Sequence, residues 1–134
     1  MKVHGTCHCG QITFEAEVDP DRASICHCTD CQILSGSPYR ASIPSNPGTY
    51  RVLSGTPRTY LKTAASGNRR RQTFCGNCGT PIAAFPDVED PPFVMLRLGA
   101  LQERAQLAPK RRIWCGSELP WSLDVHSLPG VAGQ

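Results

Sequence analysis

Eight cysteines, grouped along the backbone, constrain this chain more than any run of apolar residues does. Cys7 and Cys9 form C-x-C, Cys26, Cys28 and Cys31 form C-x-C-x-x-C, Cys75 and Cys78 form C-x-x-C, and Cys115 stands alone. Cysteines so close along one backbone are poorly placed to bridge each other, because a disulfide needs converging Cβ vectors. They suit an ion that gathers thiolates from two loops. Two pairs can close a tetrahedral site, whereas a triplet leaves a fourth position open, as catalytic zinc requires.

Compartment and composition agree with metal. Met1-Lys2-Val3-His4-Gly5 lacks the apolar stretch of a secretory signal, so the sequence reads as cytoplasmic. Disulfides rarely persist in a reducing compartment, and cysteine-dense patterns there point to metal. No apolar run approaches the length of a membrane span, so no membrane partner is expected. The net charge of +3 and the sparse aromatics argue against nucleic acid, which calls for a strongly basic face and stacking platforms. A length of 134 residues suits one domain, so residues 1–134 read as a single zinc-binding domain. The Gly- and Pro-rich tail 128–134 is expected to be loosely ordered.

The fold class is mainly β: a small zinc-stabilised β-tent or ribbon of short antiparallel sheets, with at most one or two short helical turns. Ile12, Phe14, Ala16 and Val18 alternate with polar residues, the period of a strand with one buried face. Further strands are expected at 50–53, 58–62, 71–74, 82–85, 93–98, 113–114 and 123–125, separated by turn residues. Twelve prolines and twelve glycines disfavour long helices. Thr29-Asp30-Cys31-Gln32 has the form of a capping box, and Gly36 is placed to end a short helix. Cys31 then lies in a first turn, where the helix N-terminus lowers a thiol pKa. An ordinary turn is the alternative.

The metal ligands follow from the grouping. Cys7, Cys9, Cys75 and Cys78 are expected to form a closed, structural zinc site, with glycines letting the knuckles turn. Cys26, Cys28 and Cys31 are expected to hold a second, catalytic zinc. Three thiolates on a dication leave a net charge of about −1, which favours holding a thiol as thiolate over activating water. The fourth ligand can instead be internal, from His27, His8, His4, His126 or Cys115. His27 is expected to point away, as a neighbour of two ligands on an extended backbone. A lone cysteine is more often a small buried apolar group than a ligand, so Cys115 is expected to be buried. Arg69-Arg70-Arg71 reads either as a solvated loop or as an anion clamp near the metal.

The ordered motifs Gly5-Thr6-Cys7-His8-Cys9-Gly10, Cys26-His27-Cys28-Thr29-Asp30-Cys31-Gln32 with Ser35-Gly36-Ser37, and Phe74-Cys75-Gly76-Asn77-Cys78-Gly79 resemble the glutathione-dependent formaldehyde-activating enzyme family. Ile113-Trp114 and Glu118-Leu119-Pro120-Trp121 are similar to its C-terminal element. The resemblance implies a tent-like zinc fold with Cys7, Cys9, Cys75 and Cys78 on a structural zinc. It also implies a catalytic zinc on Cys26, Cys28 and Cys31 that receives the thiol of glutathione. The implied reaction is reversible formation of S-hydroxymethylglutathione from glutathione and formaldehyde, a carbon–sulfur lyase or synthase activity. Arg69, Arg70 and Arg71, with Arg40 and Lys62 in reserve, are then candidates for glutathione's two carboxylates.

Two other functions compete with that one. A scaffold or interaction module would have both zincs structural. A thiol redox protein would use Cys28-x-x-Cys31 or Cys75-x-x-Cys78, but redox motifs of this form sit beside a βαβ pattern that the sequence lacks.

Overall fold

The computed structural model describes residues 1–134. Ten strands and one helix follow in chain order: β1 (Lys2–Thr6), β2 (Thr13–Glu17), β3 (Ser24–Cys26), α1 (Thr29–Ser35), β4 (Arg40–Pro44), β5 (Arg51–Ser54), β6 (Arg58–Thr63), β7 (Arg69–Phe74), β8 (Pro81–Pro86), β9 (Met95–Arg97) and β10 (Arg111–Ile113). Six short 3-10 turns lie between and after them. The molecule is mainly β, as expected, and α1 is a helix of two turns. No helix is long and apolar enough to cross a membrane.

The strands form two sheets. Antiparallel β1, β2 and β5 make a three-stranded sheet, and β10-β3-β4-β9-β8-β7-β6 make a seven-stranded one. All pairs in the larger sheet are antiparallel except β10 on β3. In β2 the alternation is realised: Phe14 and Ala16 are buried while Thr13, Glu15 and Glu17 are half-buried. Phe14 and its neighbours Ile12 and Val18 pack with Val3 against Ile43, Ile82, Leu96, Leu98 and Leu101 of the larger sheet and its following turn. That core is small, with 26 of 134 residues buried, so much of the chain depends on other ties.

Three strands, β1, β3 and β4, are not among those the sequence predicts. In β1 the residues flanking Val3 are polar, and what secures it is Gly5, paired with Phe14 across the ladder. A Cβ at Gly5 would overlap the Phe14 ring, so glycine is what lets the aromatic ring lie flat on β1. β4 buries four of its five residues, including Arg40 and Ser42, and so shows no apolar-polar period. β3 is only three residues long.

The expected strand at 123–125 is absent. Pro120–Leu123 and Val125–Ser127 are 3-10 turns, and Leu123 is 63% exposed. Pro120 starts the first of them, where its fixed φ suits a helical turn and its missing N–H costs nothing. Residues 129–134 carry no helix or strand and are exposed.

The packing of Phe14 on Gly5 generates a test. Gly5→Ala is expected to destabilise the fold by about 1–3 kcal/mol through overpacking, read as a lower urea midpoint with unchanged slope. An unchanged midpoint would contradict this account of β1.

Candidate functional site

Cys7 directly follows β1 and Cys9 lies in the turn after it, while Cys75 and Cys78 lie in the turn between β7 and β8. Each knuckle turns on a left-handed glycine. Gly10 has φ +80° with its N–H on Cys7 O at 3.0 Å, and Gly79 has φ +79° with its N–H on Cys75 O at 2.8 Å. The His8 N–H donates to Thr80 Oγ1 at 3.0 Å, joining the two knuckles directly. All four sulfurs lie within 4.8 Å of one another.

The Cys7–Cys9 and Cys9–Cys75 Sγ separations are 3.5 and 3.7 Å. A tetrahedron of 2.3 Å metal–sulfur bonds has edges of about 3.8 Å, so the donor set fits one soft divalent ion. Donors already point at the sulfurs. The Ile12 N–H reaches Cys7 Sγ at 3.2 Å, and Thr80 Oγ1 is 3.1 Å from Cys78 Sγ. The Thr80 hydroxyl and amide, with the Cys9 amide, hold the Cys78 thiol down at about 5, so it is a thiolate at neutral pH.

The second group lies at the C-terminal end of β3 and the start of α1. Cys26 ends that strand, and Cys28 is the N-cap of α1, its sulfur accepting the Cys31 N–H at 3.3 Å. Thr29 is therefore not the cap, and the expected capping box is not formed. Gln32 turns outward instead: its Nε2 donates to His27 O and Ser117 O, both at 2.9 Å, tying the cysteine loop to the C-terminal segment. Gly36 ends the helix in the left-handed region, as expected. The Sγ atoms of Cys26, Cys28 and Cys31 also lie within 4.8 Å of one another. Without a cation the three cannot all ionise. The Cys26 thiol is lowered by the hydrogen bond from Cys31, while that contact and burial push Cys31 well above the thiol range. A bound dication removes this conflict, so these residues too fit a soft metal.

None of the candidate internal ligands joins the triplet. His27 is buried and faces away, its ring edge-on to Tyr39 with centroids 5.5 Å apart. Its Nε2 is 3.1 Å from Glu118 Oε1 without hydrogen-bond alignment. His4 pairs with Glu103 at 2.8 Å, and His8 and His126 are exposed. Cys115 is exposed, against the expectation of burial. It starts a surface 3-10 turn after Trp114, which has φ +56°, and that turn carries it out of the core.

The triplet opens onto a cavity of about 220 Å³, which is also lined by Arg40, Lys62, Arg70, Gln72 and Arg97. The arginine run is split by the pleat of β7. Arg70 lines this cavity and lies 5.6 Å over the Phe93 ring, whereas Arg69 and Arg71 reach Asp87 at 3.4 and 2.6 Å. The three therefore do not form one clamp. Lys62 pairs with Asp30 of α1 at 2.6 Å. Arg97 and Gln72 were not singled out in the sequence. The signal for Arg97 was its place among Met95, Leu96 and Leu98, a charged residue in an apolar strand, whereas nothing in the polar strand around it marked Gln72.

The model of the glutathione-dependent formaldehyde-activating enzyme family matches residues 2–117. An uncharacterized lyase of Schizosaccharomyces pombe (strain 972) is 30% identical over 92 residues, 67% of this chain. The match covers 63% of that relative's length. A crystal structure of a Rhodobacter sphaeroides protein superposes with a TM-score of 0.61 at 21% identity, covering 84% of this chain and 99% of that one, and shows the same fold.

The two sulfur groups predict different losses. Measured by metal analysis, the chain is expected to bind one soft metal ion at each group, and Cys115→Ala to retain both. Cys78→Ser is expected to lose one ion together with much of the thermal stability, because it opens the tie between β1 and β7. Loss of an ion on Cys115→Ala would contradict the ligand sets.

Proposed function

The chain belongs to the glutathione-dependent formaldehyde-activating enzyme family, and from that footing we propose that it is a zinc-dependent carbon–sulfur lyase, adding a small thiol such as glutathione reversibly to an aldehyde such as formaldehyde. In this reading residues 1–134 form one zinc-binding domain with two zinc ions. Cys7, Cys9, Cys75 and Cys78 hold a structural ion, and Cys26, Cys28 and Cys31 hold a catalytic one. Zinc on the triplet supplies a soft Lewis acid that keeps an incoming thiol as thiolate at neutral pH.

The chain's own residues do the rest. The Cys31 amide, donating to Cys28 Sγ, fixes one sulfur of the triplet. Gln32 holds the loop that carries them against the C-terminal segment. Leu34, Ala84, Met95 and Ile113 line the cavity with apolar surface that limits water around the reacting atoms. Arg70 offers positive charge to a substrate carboxylate, whereas Lys62 is neutralised by Asp30 at 2.6 Å. The reaction is a net addition. The thiol S–H bond breaks, the carbon–sulfur bond forms, and the carbonyl oxygen takes up a proton. Holding thiolate and aldehyde carbon in one small cavity removes much of the entropic barrier to their meeting.

The observation that carries this reading is the triplet itself, three sulfurs facing a cavity with no fourth cysteine or histidine among them. A closed scaffold site needs that fourth ligand from the chain.

The test is exchange spectroscopy by NMR on glutathione and formaldehyde at equilibrium with the hemithioacetal. The zinc-loaded protein is expected to accelerate exchange, and Cys28→Ser to lower that acceleration by roughly 100-fold or more. No acceleration, together with no heat on titrating glutathione into the protein, would sink the proposal.

A further inference from the structure

Arg40 and Arg97 face the same cavity as the cysteine triplet, and no carboxylate of the chain pairs with either. Their acceptors are all neutral. Gln72 Oε1 receives Arg97 Nη2 at 2.7 Å and Arg40 Nη1 at 3.3 Å, so one amide oxygen serves two guanidiniums. Arg97 Nη1 donates to Ser42 Oγ at 2.9 Å, and Arg97 Nε is buried with no acceptor at all. Buried charge without a partner is costly, and two like charges joined through one neutral oxygen add repulsion. Burial and the neighbouring Arg40 pull the Arg97 guanidinium down to about 9, which expresses the same deficit.

The triplet does not supply the missing charge in full. With a dication it carries about one negative charge, against the guanidiniums of buried Arg40 and half-buried Arg97 and the further cation of Arg70. Asp30, the acid of the cavity lining, is engaged by Lys62. A pocket with this surplus selects an anion.

We infer that Arg40, Gln72 and Arg97 form a built anion site that seats a carboxylate of the substrate, so that the pocket accepts carboxylated small molecules and disfavours neutral ones. The inference rests on the thiol-addition reading for what binds at the sulfurs, but the anion site stands on its own geometry. Arg40, Gln72 and Arg97 also line a second cavity of about 200 Å³, and at about 220 Å³ the cavity beside the sulfurs is smaller than the roughly 300–1,000 Å³ usual for whole small-molecule ligands. It therefore takes a short acid, or the reacting end of a longer one, with the carboxylate close to the reacting sulfur. Two sources fit this chemistry: a carboxylated thiol, and a carbonyl partner that is itself an acid. Gln72 is the positioning residue, holding the two guanidiniums side by side.

The experiment is isothermal titration on the zinc-loaded full chain in two arms. One compares glutathione with its diethyl ester and with 2-mercaptoethanol. The other, with no thiol present, compares glyoxylate with acetaldehyde. In at least one arm the acid is expected to bind about 10- to 100-fold more tightly than its neutral counterpart. Arg97→Met is expected to abolish that preference, and Arg97→Lys to restore part of it. Preference in the first arm assigns the carboxylate to the thiol, and preference in the second assigns it to the carbonyl partner. Equal binding of acids and neutral counterparts in both arms overturns the inference, as does a preference that survives Arg97→Met and Arg40→Met. The comparison among ligands uses the unaltered protein, so it holds even where a variant fails to fold. Tight binding of 2-mercaptoethanol with no preference for acids would leave the thiol reading intact and remove only the anion site. A glyoxylate preference without thiol binding would do the reverse.

Discussion

The convergence of Cys7, Cys9, Cys75 and Cys78 is the constraint on which the rest of the molecule depends. It joins the end of β1 to the turn between β7 and β8, and so ties the small sheet to the far part of the large one. The core between the sheets is modest, and closing a loop of this length by chain alone is entropically unfavourable. A structural zinc in a small domain contributes about 10–16 kcal/mol of apparent binding energy, comparable with the roughly 5–15 kcal/mol that stabilises a whole domain. Cys7 and Cys75 are fully buried and belong to the same apolar cluster as Phe14 and Ile82. The four-sulfur cluster and the hydrophobic core are thus one structure.

The second sulfur group inherits its shape from that frame. β3 delivers Cys26, the N-cap of α1 delivers Cys28 and the first turn delivers Cys31, all from six consecutive residues on one side. The other side is walled by β4, β7 and β9, whose inward positions bring Arg40, Gln72 and Arg97 opposite the sulfurs. Anionic sulfur and cationic guanidinium therefore face each other across a narrow space. Each makes the other less expensive to bury, and each remains incompletely matched. That mismatch is where a ligand contributes.

The cysteine groups and the β2 alternation were legible in the sequence because they are local: spacing fixes which sulfurs share a turn, and period fixes which face is buried. The stop at Gly36 was legible for the same reason. The cap of α1 was misplaced because a cysteine sulfur took the role usual for Thr29, and Gln32 found two carbonyls outside the helix. The division of Arg69, Arg70 and Arg71 needed the pairing of β7 with β8, which sets Asp87 beside two of them. β1 and β4 were hidden because their burial comes from long-range partners, Phe14 over Gly5 and the buried polar groups around Arg40. Cys115 was misjudged because the left-handed backbone of Trp114, unusual outside glycine, sends it to the surface.

In the proposed function the triplet keeps one coordination position for a substrate sulfur. Zinc K-edge X-ray absorption on the two-zinc protein, before and after glutathione, tests it most directly. A mean shell below four sulfurs per zinc is expected at the outset, completed by a light atom, with an approach to four sulfurs on adding glutathione. Four sulfurs per zinc from the start, unchanged by glutathione, would contradict it.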